Sequence, residues 1–163
     1  MAYVATKFDA QFAHRVLVNL TTLLERDANL ALAEVDASLT AFRSYRIPVL
    51  ITTQFPALFV GLDRVTAQQS DDDAYIRSEI SFSIDLALVG SNAFDLQQQL
   101  AKYVLALDRV IRTAAATDLV GELSSTNSMP VWEVTEHSFQ LLRNDTTLRA
   151  DASLTVVIQL LER

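Results

Sequence analysis

A chain of 163 residues is the length of one ordinary domain. Half of its residues are hydrophobic and 20% are charged, which excludes wholesale disorder and leaves neutral surface suited to contacts between subunits. The absence of cysteine excludes disulfides, zinc–cysteine sites and thiol catalysis, and three glycines leave little room for a phosphate-cradling loop. A net charge of -7 argues against sequence-specific binding to nucleic acid phosphates, though not against a passive wall past which DNA slides.

The N-terminus lacks a basic start followed by an apolar run, so no secretory signal is expected. No stretch approaches the ~18 uninterrupted apolar residues of a membrane span. The expectation is a soluble protein of a reducing cytoplasm.

Phe8, Phe12, Val16, Leu20 and Leu24 recur every four residues, with Ala13, Leu17 and Leu23 beside them, which predicts a helix over Phe8–Arg26. Residues Asp27–Tyr45 carry a weaker helical pattern in Leu32, Val35, Leu39 and Phe42 and read as partly helical. Pro48 pushes Ile47 out of the helical region, so Ile47–Ile51 begins extended structure. Phe55–Gln69 follows as a strand with Leu58, Val60, Leu62 and Arg64 on one face. Gln68, Gln69, Ser70, Asp71, Asp72 and Asp73 make a polar hairpin tip.

The next strand has a strict period of two. Ile76, Ile80, Phe82, Ile84, Leu86 and Leu88 take even positions, and Arg77, Glu79, Ser81, Ser83 and Asp85 take odd ones. One face therefore packs on a core, and the other meets water or a partner. At ~3.3 Å per residue this strand reaches about 45 Å.

Ser91 or Asn92 caps a helix over Ala93–Ala116, in which Leu96, Leu100, Val104, Leu107, Val110 and Ile111 line one side. Asp118–Ser128 reads as a loop. A strand through Val131–Leu142, a turn at Arg143–Thr146 and a final strand with Leu148, Ala150, Ala152, Leu154, Val156, Ile158 and Leu160 in alternation complete the chain. The order α-β-β-α-β-β predicts an α+β domain over residues 1–163. In it an antiparallel sheet of about four strands, two hairpins with one of them long, is covered on one face by two amphipathic helices.

No chemistry stands out. Asp71–Asp73 could supply oxygens to Ca²⁺ or Mg²⁺, but three consecutive aspartates do not converge, and a solvated tip is the plainer reading. His14 and His137, the two histidines, lie on separate elements with no motif around them. On a regular strand Glu133 and His137 share a face while Glu136 points away, so these three do not form an acid–base site. No Gly-x-Ser-x-Gly is present, and Ser124 and Ser125 sit in the loop. Trp132 is either core or an interface anchor, with core the commoner use.

The N-terminal helix, the long hairpin Phe55–Val89 with its polar tip, the helix Ala93–Ala116 and the closing hairpin Val131–Leu161 together resemble the tail terminator, or tail-completion, proteins of long-tailed bacteriophages and the related head–tail joining proteins. The stretches SEISFSIDLALVG and SLTVVIQLLER share their texture. The resemblance spans nearly the whole chain. It implies a virion protein assembled in the host cytoplasm as a homo-oligomeric ring, usually of six subunits, that caps the tail tube and joins it to the neck. It implies tube and neck proteins as partners, DNA passing through the channel without specific binding, and neither membrane, cofactor nor catalysis. By carry-over the interface residues are Gln68, Gln69, Ser70, Asp71, Asp72, Asp73, Arg77, Glu79, Ser81, Ser83 and Asp85. In this plan Asp27–Tyr45 is an insertion or a connector.

Overall fold

The computed structural model describes residues 10–43, 54–69, 76–120, 129–144 and 147–162. Its elements in chain order are α1 (Ala10–Asp36), β1 (Ala57–Gln69), β2 (Ile76–Gly90), α2 (Ala93–Thr113), α3 (Ala116–Val120), β3 (Met129–Asn144) and β4 (Thr147–Glu162). The four strands form one antiparallel sheet in the order β1-β2-β4-β3. This is the expected α+β arrangement, with the second hairpin as long as the first: β3 and β4 have 16 residues each, against 13 and 15 in β1 and β2.

The helix-facing side of the sheet follows from the period of two. Ile80, Phe82, Ile84, Leu86 and Leu88 of β2 are at most 3% exposed, and their partners Ile158, Val156, Leu154, Ala152 and Ala150 of β4 are as deeply buried. Leu96, Leu100, Tyr103, Leu107 and Ile111 of α2 lie against these strands, and Val16, Leu20, Leu24 and Leu32 of α1, which packs on α2 and β1, complete one continuous core.

α1 runs on without a break into the segment that reads as partly helical and ends at Asp36. Its buried stripe continues past Arg26 through Ala28, Ala31 and Leu32. Two alanines weaken the apolar signal there, and the charged Glu25-Arg26-Asp27 triplet lies on the less buried side of the helix. Arg26 pairs with Asp27 at 2.7 Å and reaches Asp118 of α3 at 3.4 Å. The guanidinium holds the Asp27 carboxyl below its ordinary range. α3 occupies the start of what reads as a loop, because Leu119 and Val120 are fully buried and Leu119 presents its carbonyl to Asn19 Nδ2 at 3.2 Å.

Asp36 ends α1 by accepting from Ser38 N at 3.0 Å and Ser38 Oγ at 2.6 Å, and it pairs with Lys102 Nζ of α2 at 2.5 Å. These contacts, the lysine first, hold its carboxyl well below the carboxylate range. The chain then folds back over the helices. Phe42 donates its N–H to Asn29 Oδ1 at 2.8 Å, and its ring meets the Tyr103 ring edge-on at 5.2 Å. The Tyr103 hydroxyl donates to the Thr40 carbonyl. α2 starts at Asn92, whose side chain accepts from Phe94 N and Asp95 N at 2.9 and 3.4 Å.

Candidate interaction surface

Two β-bulges decide which residues share the outer, helix-free face of the sheet. In β1 the register shifts between Leu62 and Arg64. Val65 therefore pairs with Ile80 on the helix side, while Arg64 pairs with Ser81 on the outer side, opposite to the assignment that regular alternation gives it. In β3 the shift falls between Val134 and Glu136. Glu133 pairs with Val157 and position 136 with Thr155, both outer rows, whereas His137 pairs with Leu154 on the helix side. The regular-strand reading, which put Glu133 with His137 and set Glu136 apart, is thus reversed by one extra residue.

Of the expected interface residues, Glu79, Ser81, Ser83 and Asp85 do share the outer face of β2. Ser81 is nonetheless 4% exposed and the other three are half-buried. Glu79 is met by Arg64 at 3.5 Å and by Gln159 Nε2 at 3.4 Å, and Ser83 Oγ lies 3.4 Å from Asp85 Oδ2. Gln68, Gln69 and Arg77 occupy the distal end of the first hairpin, where Gln68 pairs in register with Arg77. Ser70, Asp71, Asp72 and Asp73 lie outside the described residues.

Near the opposite end, the outer face dips into a groove of about 550 Å³ lined by Phe59, Asp85, Ser138, Gln140, Arg149 and Asp151, with residues from all four strands. Arg149 is paired with Asp151 at 2.7 Å, and its guanidinium lies 6.0 Å from the centre of the Phe55 ring. The groove thus holds a mutually neutralised ion pair, one further carboxylate, the two hydroxyls of Ser138 and Ser153, and an amide. Among the described residues, no group of three or more histidine, aspartate or glutamate side chains is placed to hold a metal ion.

His14 is exposed on α1. His137 places Nε2 3.4 Å from Asp108 Oδ1 of α2, and Asp108 also accepts from Arg112 Nε at 2.7 Å. Trp132 packs on the helix side and donates Nε1 to the Ile111 carbonyl at 3.1 Å, so its indole ties β3 to the end of α2. No sequence motif marks this junction. It exists because the bulge turns His137 inward.

The second feature that sequence reasoning missed is at the sheet margins. The helices reach both edge strands, where Leu58 and Val60 of β1 are buried and Trp132 and Val134 of β3 pack on the core, but other helix-side positions of these strands stay open. Leu62 and Val65 of β1 are 47% and 45% exposed, and Phe139 and Leu141 of β3 are 59% and 39% exposed, although all four stand in helix-side rows. Their alternation is indistinguishable from that of core residues. What separates them is where along each edge strand the cover ends: Leu58 and Val60 of β1 are buried, while Leu62 and Val65 of the same strand are not.

No protein-family model matches this sequence, and no curated protein matches it either. Among solved structures it is similar to a chain described as "Virion of native gene transfer agent (GTA) particle", with 15% identity and a TM-score of 0.49 over 93% of this chain and 99% of that one. Among the described residues, no helix is long and apolar enough to cross a membrane.

Proposed function

We propose that this chain is a structural, non-enzymatic virion subunit: a phage tail terminator that forms a homo-oligomeric ring, caps the tail tube and joins it to the neck. The observation that carries the reading is a sheet whose two long edge strands, β1 and β3, have no further strand partner among the described residues. β1 and β3 run antiparallel to each other, since each step across β1-β2-β4-β3 reverses direction. Copies arranged around a rotation axis therefore bring unlike edges together in the antiparallel sense, a head-to-tail contact that closes into a ring.

The outer face suits the wall of such a channel. Its charges are largely paired in place and its excess is acidic, which gives little for DNA phosphates to grip. Tube and neck proteins are the partners of this reading. The hairpin tip Gln68–Asp73 is the surface assigned to them, and the outer row Arg77–Asp85 lies in the channel wall. A neck or head-completion protein uses the same ring. A tail-tube subunit differs in stacking rings without end.

Native mass spectrometry with negative-stain imaging tests this. Closed rings, or a monomer that forms rings when tail tubes are added, are expected. Open-ended filaments replace the terminator with a tube subunit. A monomer that ignores tubes and connectors refutes the virion role and directs attention to the outer groove as a ligand site.

A further inference from the structure

We infer that β3 of one copy pairs with β1 of the next at a stagger of four residues, which sets Phe139 opposite the neighbour's Leu62. The inference rests on the ring reading and adds to it the register of the contact. It starts from the row positions within one subunit. Through the three ladders, Leu58 of β1 stands in the same row as Leu86, Ala152 and Phe139, and Leu62 in the same row as Phe82, Val156 and Val134.

Three independent constraints select the stagger. The first is parity. Helix-side residues must continue opposite helix-side residues, so the offset is even. The second is closure. Strands of a closed barrel tilt by ~35–45°, and a shear equal to the number of strands gives a tilt of about 36°. A subunit that contributes four strands then advances the register by four residues. A zero offset leaves the strands parallel to the axis, which twisted sheets do not adopt.

The direction of the offset follows from chain handedness. β2 and β3 run parallel and are joined through α2, a crossover that is right-handed in nearly all proteins. That fixes the left-to-right order of the strands seen from the helices. With the helices outside and the right-handed lean of barrel strands, a row leaving β3 meets the next copy's β1 further toward that strand's C-terminal end.

The third constraint is burial. An advance of four rows from Leu58 arrives at Leu62. Phe139, 59% exposed, and Leu62, 47% exposed, then cover each other, while His137 falls opposite Val65, 45% exposed. On the outer face Ser138 falls opposite Arg64. At zero offset Phe139 instead faces Leu58, which is already 1% exposed and gains nothing. The zero register has one attraction of its own, Arg64 opposite Glu133, and is therefore the competitor to test against.

The chain has no cysteine, so paired cysteines report the register cleanly. The two edges of one sheet are separated by three strand spacings, roughly 14 Å, too far for a disulfide within one copy. Three double variants are oxidised and run without reductant: Leu62→Cys with Phe139→Cys, Arg64→Cys with Ser138→Cys, and Arg64→Cys with Glu133→Cys. Antiparallel partners alternate between narrow and wide pairs, and the first two variants sample both faces.

A reducible ladder ending in a closed species is expected from at least one of the first two, with roughly tenfold more linked chain than from the third. Dominant linkage of the third pair overturns the stagger. So do rings seen by native mass spectrometry in which neither of the first two pairs links, and these leave the ring itself standing. A sample that is monomeric by mass spectrometry and unlinked in all three variants overturns both.

Discussion

Removing the Tyr103 hydroxyl tests how the segment after α1 is held. The ring is 1% exposed, its edge meets Phe42 at 5.2 Å, and the hydroxyl donates to the Thr40 carbonyl. At neutral pH the Tyr103→Phe variant loses one neutral hydrogen bond, worth about 1 kcal/mol. Thr40 is exposed, so its carbonyl regains water and the cost falls to ~0.5–1 kcal/mol, or a few degrees at most in melting temperature.

Alkaline pH reverses the order of the two proteins. Burial pushes the Tyr103 phenol up to about 12. An unfolded tyrosine ionises near 10. Between these values the unfolded state has released its proton and the folded state keeps it. The wild-type stability is therefore intact below about pH 10 and drains away as pH rises through about 12. Two pH units at ~1.4 kcal/mol each make the full loss on the order of 3 kcal/mol. The variant has no phenol at this site and escapes that share of the loss. Urea midpoints collected every half unit from about pH 7 to 12 should give curves that cross, with wild type the more stable below ~pH 10.5 and the variant above it. Parallel curves would show that the phenol is solvated in the folded protein and would refute its burial against the helices.

Two further outcomes follow from the core and from acid titration. Phe82→Ala empties the centre of the sheet's buried face, where Phe82 is 0% exposed between Leu62 and Val156, and should cost ~3–5 kcal/mol in urea unfolding. A loss below ~1 kcal/mol is incompatible with that packing. Because the Asp36 carboxyl is held low by Lys102 and Ser38, its contribution is present above the ordinary aspartate value of ~3.9 and is lost as pH falls below it. Asp36→Asn should flatten the acid side of the stability profile between about pH 5 and 2.5, and an unchanged slope there rules out the contact in solution.

The amino-acid pattern by itself determined the two long helices and four strands, their order and the buried face of the central strands. The reason is local: Ile80 to Leu88 alternate and Leu96 to Ile111 repeat at helical spacing, and each period has one geometric solution that buries it. It also determined the absence of thiol chemistry, a matter of composition alone.

What depended on position in the assembled sheet was decided only by the tertiary structure. Single extra residues at Asp63 and Thr135 reverse the faces downstream of them, moving Arg64 to the outer side and His137 to the helix side, and no spacing rule marks where a strand will bulge. Phe139 and Leu62 carry the same alternation as Phe82, yet they stay exposed, although the helices reach both edge strands and Leu58 and Val60 of β1 are buried beneath them. A side chain's own period states which face it takes. Whether anything covers that face depends on neighbours far away in the chain, and at the two edges on neighbours in another copy.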